Sequence, residues 1–178
     1  MIDSETVVGT GLQITLSRDE LAAKLGVVSR AVSARTTVLV LGGVQLQAAA
    51  GQVQLAATDM ELSLRATADA RVADEGTVVV PGRLLLDIAR SLPEAEVTLE
   101  HRPEEAVVVV TSGSATYRLH TYSAEDFPRL PEIDSLTLHA VDGDALVETV
   151  ARVGRSASRD ESRRCSPGSS SASRRRRS

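Results

Sequence analysis

The sequence predicts an α+β fold of antiparallel sheets with two helices on one face, and three observations carry that prediction. Short segments of alternating apolar and polar residues recur along most of the chain, as half-buried strands do. Two segments break that pattern with apolar residues at helical spacing, Leu21 to Val32 and Leu84 to Leu92. The resulting order is strand, helix, strands, helix, strands, a two-fold pseudo-repeat whose one-sided sheets need helices to cover their apolar faces.

Residues 1–11 show no periodicity and read as a loose lead-in. Leu12, Ile14 and Leu16 then alternate as a strand. Ser17, with Glu20 three residues later, reads as a capping box opening a helix whose buried stripe is Leu21, Leu25, Val28 and Val32. The run from Val38 to Val72 reads as several antiparallel strands: Val44 and Leu46 alternate with Gln45 and Gln47, Ala50-Gly51 permits a turn, and Val53 and Leu55 resume. After a turn at Asp59, Leu62 and Leu64 alternate with Ser63 and Arg65.

Three valines, Val78 to Val80, form a buried strand ending at Pro81, which has no N–H to continue a ladder. A helix follows with Leu84, Leu85, Ile88 and Leu92 as its apolar stripe. Arg83 and Arg90, seven apart, share its polar face, and Pro93 stops it. Residues 96–100, 106–112 and 115–122 give three more strands, with turns at Glu104-Glu105 and Ser112-Gly113-Ser114. The segment 123–134, with Pro128 and Pro131, reads as a linker, and from Leu136 an alternating strand and a helix begin again.

Composition narrows the function. Of 178 residues 42% are hydrophobic and 2% aromatic, with no Trp, so the core is Val, Leu and Ala, and ring-dependent carbohydrate or base-stacking sites are disfavoured. One cysteine, Cys165, excludes an intrachain disulfide framework and a Cys-rich zinc site. No apolar run reaches membrane-span length and the N-terminus lacks a signal peptide's regions, which fits a cytoplasmic protein. Six of the 20 basic residues and none of the 24 acidic ones lie in residues 163–178, so the rest carries 14 basic against 24 acidic, a net of −10. Such a body is no general nucleic-acid-coating surface, though its few cations can gather on one side.

Chemistry-bearing motifs are scarce. Asp59 and Glu61 would share one face of a strand but lack a third ligand, and His101, His120 and His139 are too widely spaced for a metal site. There is no nucleophile elbow, and no phosphate-binding loop or dinucleotide fingerprint. What remains is positive charge at Lys24, Arg30, Arg35, Arg83 and Arg90. On periodicity alone the bland reading, a solvated polar face, is favoured for these residues.

The stretch Val80-Pro81-x-Arg83-x-Leu85-x-Asp87-Ile88-x-Arg90-x-Leu92-Pro93 resembles a signature of the bacterial DNA polymerase III beta subunit, the sliding clamp. Leu16 to Arg35, Leu55 to Ala66 and Ala124 to Glu132 resemble it in the same order, so that the resemblance runs from about Leu12 to Arg163. It implies a DNA clamp fold, with a first domain at 12–122, a linker at 123–134 and the start of a second domain at 135–163. It also implies a non-catalytic processivity factor without a cofactor. Its partners would be duplex DNA bound without sequence preference, other protomers in a ring, the replicative polymerase and the clamp loader.

Arg35 and Arg83 match positions that contact DNA in the family, and Arg90, Arg30 and Lys24 are further candidates. Leu39 departs from the family, standing where a proline is usual. The second domain breaks off, which predicts a chain that closes no ring and lacks the family's cleft for polymerase and clamp loader. After Arg163 the family pattern leads one to expect Pro-Val-Leu-Thr-Gly-Ile-Leu-Val-Arg-Phe. Codons for that run with their first base deleted encode Arg-Cys-Ser-Pro-Gly-Ser-Ser-Ser-Ala-Ser, which is Arg164 to Ser173 residue for residue. Residues 164–178 therefore read as a frameshifted tail, disordered because it has no Val, Leu, Ile or Phe to bury. The rival reading of the whole is a β-rich structural or protein-interaction module that never meets DNA.

Overall fold

The structure is a computed structural model that describes residues 11–33, 37–130 and 141–154. The chain divides into two units between residues 132 and 133. In the first, β1 (Gln13–Ser17) runs into α1 (Arg18–Val28), and a short 3-10 turn and a second one, Leu39–Gly42, precede β2 (Gly43–Ala49). Then come β3 (Gln52–Thr58), β4 (Ser63–Asp69), β5 (Arg71–Asp74), β6 (Gly76–Pro81), α2 (Gly82–Ser91), β7 (Glu96–Arg102), β8 (Val107–Ser112) and β9 (Ala115–His120).

All pairings are antiparallel and fall into a five-stranded sheet, β5-β1-β7-β8-β9, and a four-stranded sheet, β4-β3-β2-β6. The predicted alternations set the register. Leu46 stands opposite Leu55 and Val78, and Leu99 opposite Ile14 and Val110, so each row puts apolar side chains on one face. The β2–β3 hairpin turns at Ala50 and Gly51, both with positive φ (50° and 78°), the geometry that follows the sheet's twist.

One aliphatic core joins the two sheets and both helices. Leu12, Ile14, Val97, Leu99 and Val110 enter it from the five-stranded sheet, Val44, Leu46, Val53, Leu55 and Val80 from the four-stranded one. The helices add Leu21, Leu25 and Val28 from α1, and Leu85, Ile88, Ala89 and Leu92 from α2 and its end. The three valines of β6 are buried on both faces. Val78 and Val80 point into this core, while Val79 lies in a second cluster with Val40, Leu41 and Phe127.

That second cluster fixes the segment after β9. Tyr122 N–H donates to the Val79 carbonyl (2.8 Å), Phe127 is buried, and Arg65 Nη2 donates to the Leu130 carbonyl (3.0 Å). The Pro-rich stretch has neither helix nor strand through residue 130, yet it is tied to the sheet at three points.

Four expectations need correction. The apolar stripe of α2 is Leu85, Ile88, Ala89 and Leu92 with Leu86 beside it (8% exposed), whereas Leu84 is 50% exposed. Three leucines in a row leave the phase of a helix ambiguous. Here it is fixed where the helix begins: a Cβ on Gly82 would stand 2.6 Å from Val44 Cγ2 and 3.0 Å from Val32 Cγ2, so backbone itself packs there.

The capping box does not form. Ser17 occupies the N-cap but its side chain makes no cap bond; the first free N–H of α1, that of Arg18, donates instead to the Ala95 carbonyl (2.8 Å). Val38 to Gly42 is not strand: Val38 and Leu39 are exposed, and Val40 and Leu41 fill the second cluster from a 3-10 turn. Leu62, finally, is exposed in the β3–β4 turn, and the alternation begins only at Leu64.

In the second unit, the predicted helix is α3 (Gly143–Gly154), opened by Asp142, whose Oδ1 accepts from Ala145 N–H (2.8 Å). Its Leu146, Val147, Val150 and Val153 are exposed, and Arg152 pairs with Glu148 (2.6 Å). The expected strand at 136–140 and the tail from Arg164 lie outside the described residues.

Truncating Leu85 or Ile88 to alanine is expected to cost roughly 2 to 5 kcal/mol, because each leaves a cavity in the shared core. Arg83→Ala and Arg90→Ala, both exposed, should each change stability by less than about 0.5 kcal/mol. Urea unfolding of the four variants checks the contrast, and comparable losses in both pairs would refute the helix orientation.

Candidate nucleic-acid interface

The two helices lie side by side in opposite directions. At one end Arg18, the first residue of α1, donates through Nη1 to the Leu92 carbonyl just past α2 (3.1 Å). At the other, Val32 beyond α1 packs on Gly82 at the start of α2. Between these ends, Arg90 Nη2 lies 4.0 Å from where a Cβ on Gly26, two residues before the end of α1, would stand. Burying Leu21, Leu25 and Val28 on one side and Leu85, Ile88 and Ala89 on the other leaves the opposite faces in solvent.

Those faces carry four of the five candidate cations. Arg30, Arg83 and Arg90 are exposed and Lys24 is half-buried. The shared face of Arg83 and Arg90 is as the spacing of seven predicts, with Asp87 between them. Arg35 lies outside the described residues. Residues 18–31 hold three cations against two carboxylates, and α2 holds two against one, so this is a locally positive part of an acidic chain.

What sets these cations apart is their partners. Arg18 pairs with Asp19 (2.7 Å), Arg71 with Glu96 (2.9 Å), Arg102 with Glu100 (2.8 Å), Arg118 with Glu105, and Arg152 with Glu148. Among the described residues Lys24, Arg30, Arg83 and Arg90 have no carboxylate within ion-pair distance, and neither have Arg65 and Arg129. On the sheets, Arg71, Arg102 and Arg118 are held by carboxylates, while Arg65 is held by the Leu130 carbonyl; at the helices, Arg18 and Arg152 are paired, whereas Lys24, Arg30, Arg83 and Arg90 stand free. An unpaired surface cation can neutralise an outside anion without first breaking an internal pair.

The remaining polar features are structural. Asp59 and Glu61 sit in the β3–β4 turn, not in a strand. Asp59 Oδ1 accepts from Leu62 N–H (2.7 Å) and Glu61 N–H (3.0 Å), and these bonds hold its carboxyl below the usual carboxylate range. The Arg102 hydrogen bond likewise lowers the Glu100 carboxyl and raises the guanidinium. No cluster of three or more His, Cys, Asp or Glu side chains among the described residues could hold a metal ion. No helix among them is long and apolar enough to cross a membrane. Two open hollows, one of about 430 Å³ on the five-stranded sheet and one of about 460 Å³ between that sheet and Gly51 and Asp69 of the other, are both lined by Thr15 and Glu96, and neither includes a candidate cation.

Known proteins resemble this chain in sequence and fold. The family model for the N-terminal domain of the DNA polymerase III beta subunit covers residues 12–131. Beta sliding clamps of Micrococcus luteus and Streptomyces coelicolor are 40% and 37% identical over 150 residues, 84% of this chain and 47% and 39% of theirs. Among solved structures, the beta sliding clamp of Caulobacter crescentus superposes with a TM-score of 0.80 at 26% identity, over 86% of this chain and 41% of that one. The Thermotoga maritima beta subunit gives 0.70 at 28% identity, over 78% and 38%. The chain therefore spans less than half the length of these relatives.

One titration in the fold is directly testable. His101, in β7, has a buried Nδ1 with no hydrogen-bond partner, and burial pushes its imidazole below the ordinary value of 6.5. The unfolded chain then takes up this proton first, so stability falls as pH drops from about 6.5 toward the folded-state value. Asp59 and Glu100, both lowered, act in a separate window, their contribution being lost only below the ordinary carboxylate values. Between pH 7 and 5.5 the wild-type urea midpoint is expected to drop more than that of His101→Gln; equal drops would show that His101 does not carry the effect.

Proposed function

This chain belongs to the DNA polymerase III beta subunit family, the beta sliding clamps, and on that premise we propose that its paired helices form a sequence-independent contact surface for duplex DNA. The observation that carries the reading is the contrast in pairing: three of the four described sheet arginines, Arg71, Arg102 and Arg118, are tied to carboxylates, whereas Lys24, Arg30, Arg83 and Arg90 on and just past the paired helices have no such partner. Long cationic side chains attract phosphates but read no base edges, as a protein that must move along DNA requires. Neither helix face offers the Asn, Gln and Arg combinations that discriminate base pairs in a major groove.

In this role the protein catalyses no reaction. It works in the cytoplasm as a processivity factor, and Arg35, outside the described residues, is a further DNA-contact candidate. Ring formation with other protomers and binding of the replicative polymerase and clamp loader belong, on this reading, to the family's full-length clamps, of which this chain spans less than half.

Fluorescence anisotropy with short duplexes of unrelated sequence tests this. Weak binding is expected, equal across sequences and falling with salt. Each phosphate contact removed should flatten the slope of log affinity against log salt by about 0.9. Arg83→Ala combined with Arg35→Ala should therefore flatten it by about two such steps, while Arg118→Ala, whose guanidinium is tied to Glu105 on the sheet, leaves it unchanged. Absence of salt-dependent binding, or strong preference for one duplex sequence, would reject the reading and leave a β-rich structural or interaction module in its place.

A further inference from the structure

We propose that the first unit carries a self-complementary patch at one end of its four-stranded sheet, through which it pairs about a two-fold axis with a second copy of this chain. The large apolar side chains it leaves in solvent are not scattered. Six are exposed among the described residues of this unit, and five of them, Val38, Leu39, Met60, Leu62 and Leu84, belong to segments that meet at one end of the sheet. The sixth, Val27, lies in the last turn of α1. The register sets Thr58 beside Ser63 and Gly43 beside Pro81 at that end, with Gln45 and Ala56 opposed two residues further in. The strand order β4-β3-β2-β6 then fixes the sequence across the patch: Met60 and Leu62 in the β3–β4 turn, Val38 and Leu39 before β2, and Leu84 in the first turn of α2 after β6.

The β3–β4 turn is braced in a way that holds its apolar residues outward. Thr58 Oγ1 accepts from Met60 N–H (3.0 Å), Asp59 N–H donates to the Leu62 carbonyl (3.2 Å), and Asp59 Oδ1 takes the two further N–H groups. Met60 has a φ of 78°, a left-handed conformation that suits glycine or asparagine, yet a long apolar side chain stands there 69% exposed. Charge is divided between the two margins. Asp59 and Glu61 lie at the turn and make no ion pair among the described residues. Arg83 lies in the first turn of α2 at the other margin, and Arg30 is two residues before Val32, which packs on Gly82. A two-fold axis passing near Leu39 sets the acidic margin of each copy against the basic margin of the other and aliphatic side chains against each other, as an isologous contact requires. The patch is small beside the about 800 Å² that each partner gives to a standard interface, so the dimer dissociates on dilution.

Sedimentation velocity on the full chain without DNA tests this, and its outcome does not depend on whether the helix face meets DNA. The wild type is expected to pass from monomer to dimer as concentration rises, and the methyl resonance of Met60, one of two methionines in the chain, to move with it. Leu39→Glu and Met60→Glu should each weaken the dimer roughly tenfold or more while Tm holds, since both positions are exposed. Glu61→Arg and Arg83→Glu should each weaken it, and the two together should restore it. A wild type that stays monomeric at millimolar concentration overturns the proposal. So does a dimer insensitive to these substitutions, which would place the contact on another surface such as the apolar side of α3, and so does a double charge reversal no stronger than the single ones.

Discussion

The packing of α1 against α2 over a purely aliphatic core is the constraint on which the rest of this structure depends. With 2% aromatic residues the chain has no large rings to fill the space between two sheets, so Leu, Val, Ile and Ala must do it by interdigitation. Both helices are needed for that. Leu21, Leu25 and Val28 seal one half of the core, Leu85, Ile88 and Leu92 the other, and glycine backbone at Gly82 lets α2 start directly against Val44 and Val32. Two of the chain's three rings, Tyr122 and Phe127, work elsewhere, holding the segment after β9 to Val40, Leu41 and Val79.

Helix packing also decides which cations are free. In a sheet, a side chain has cross-strand and next-row neighbours close by, and in a chain with more acids than bases those neighbours are often carboxylates. Arg102 finds Glu100 two residues back along its own strand, and Arg118 finds Glu105 in the loop before β8. On the exposed side of a helix the neighbours are three or four residues away along the same helix. Glu20 and Asp87 stand at that spacing from Lys24, Arg83 and Arg90 without closing a pair.

Most of the fold was legible because the chain repeats one instruction. Alternation at Leu12 to Leu16, Val44 to Ala48 and Val53 to Leu55 places each strand's apolar face, and the structure follows it residue by residue. The failures have local causes. Leu84, Leu85 and Leu86 are indistinguishable by hydrophobicity, and only the approach of Gly82 to Val44, a contact between distant residues, fixes which of them turns inward. Ser17 with Glu20 is a true capping pattern, but the Ala95 carbonyl supplies the bond first, and no spacing in α1 reveals that. The shared face of Arg83 and Arg90 was readable from their separation. Their freedom from ion pairs was not, because pairing depends on tertiary neighbours.

A surface that holds DNA without reading it must satisfy two opposed demands. It must attract a polyanion, yet bind it loosely enough, and uniformly enough, that no position along the duplex is a trap. A strongly basic chain would meet the first demand and fail the second. Here residues 1–162 carry an excess of acid, and most of the described sheet arginines are already neutralised by carboxylates, so attraction is confined to a few free side chains on two rigid helices. Rigidity follows from the aliphatic core beneath them, since each cation projects from a helix whose opposite face is fully buried. On the proposed reading, a substitution such as Leu85→Ala is expected to act on DNA contact as well as on stability, because Arg83 and Arg90 are held in place by the helix whose buried face it would loosen.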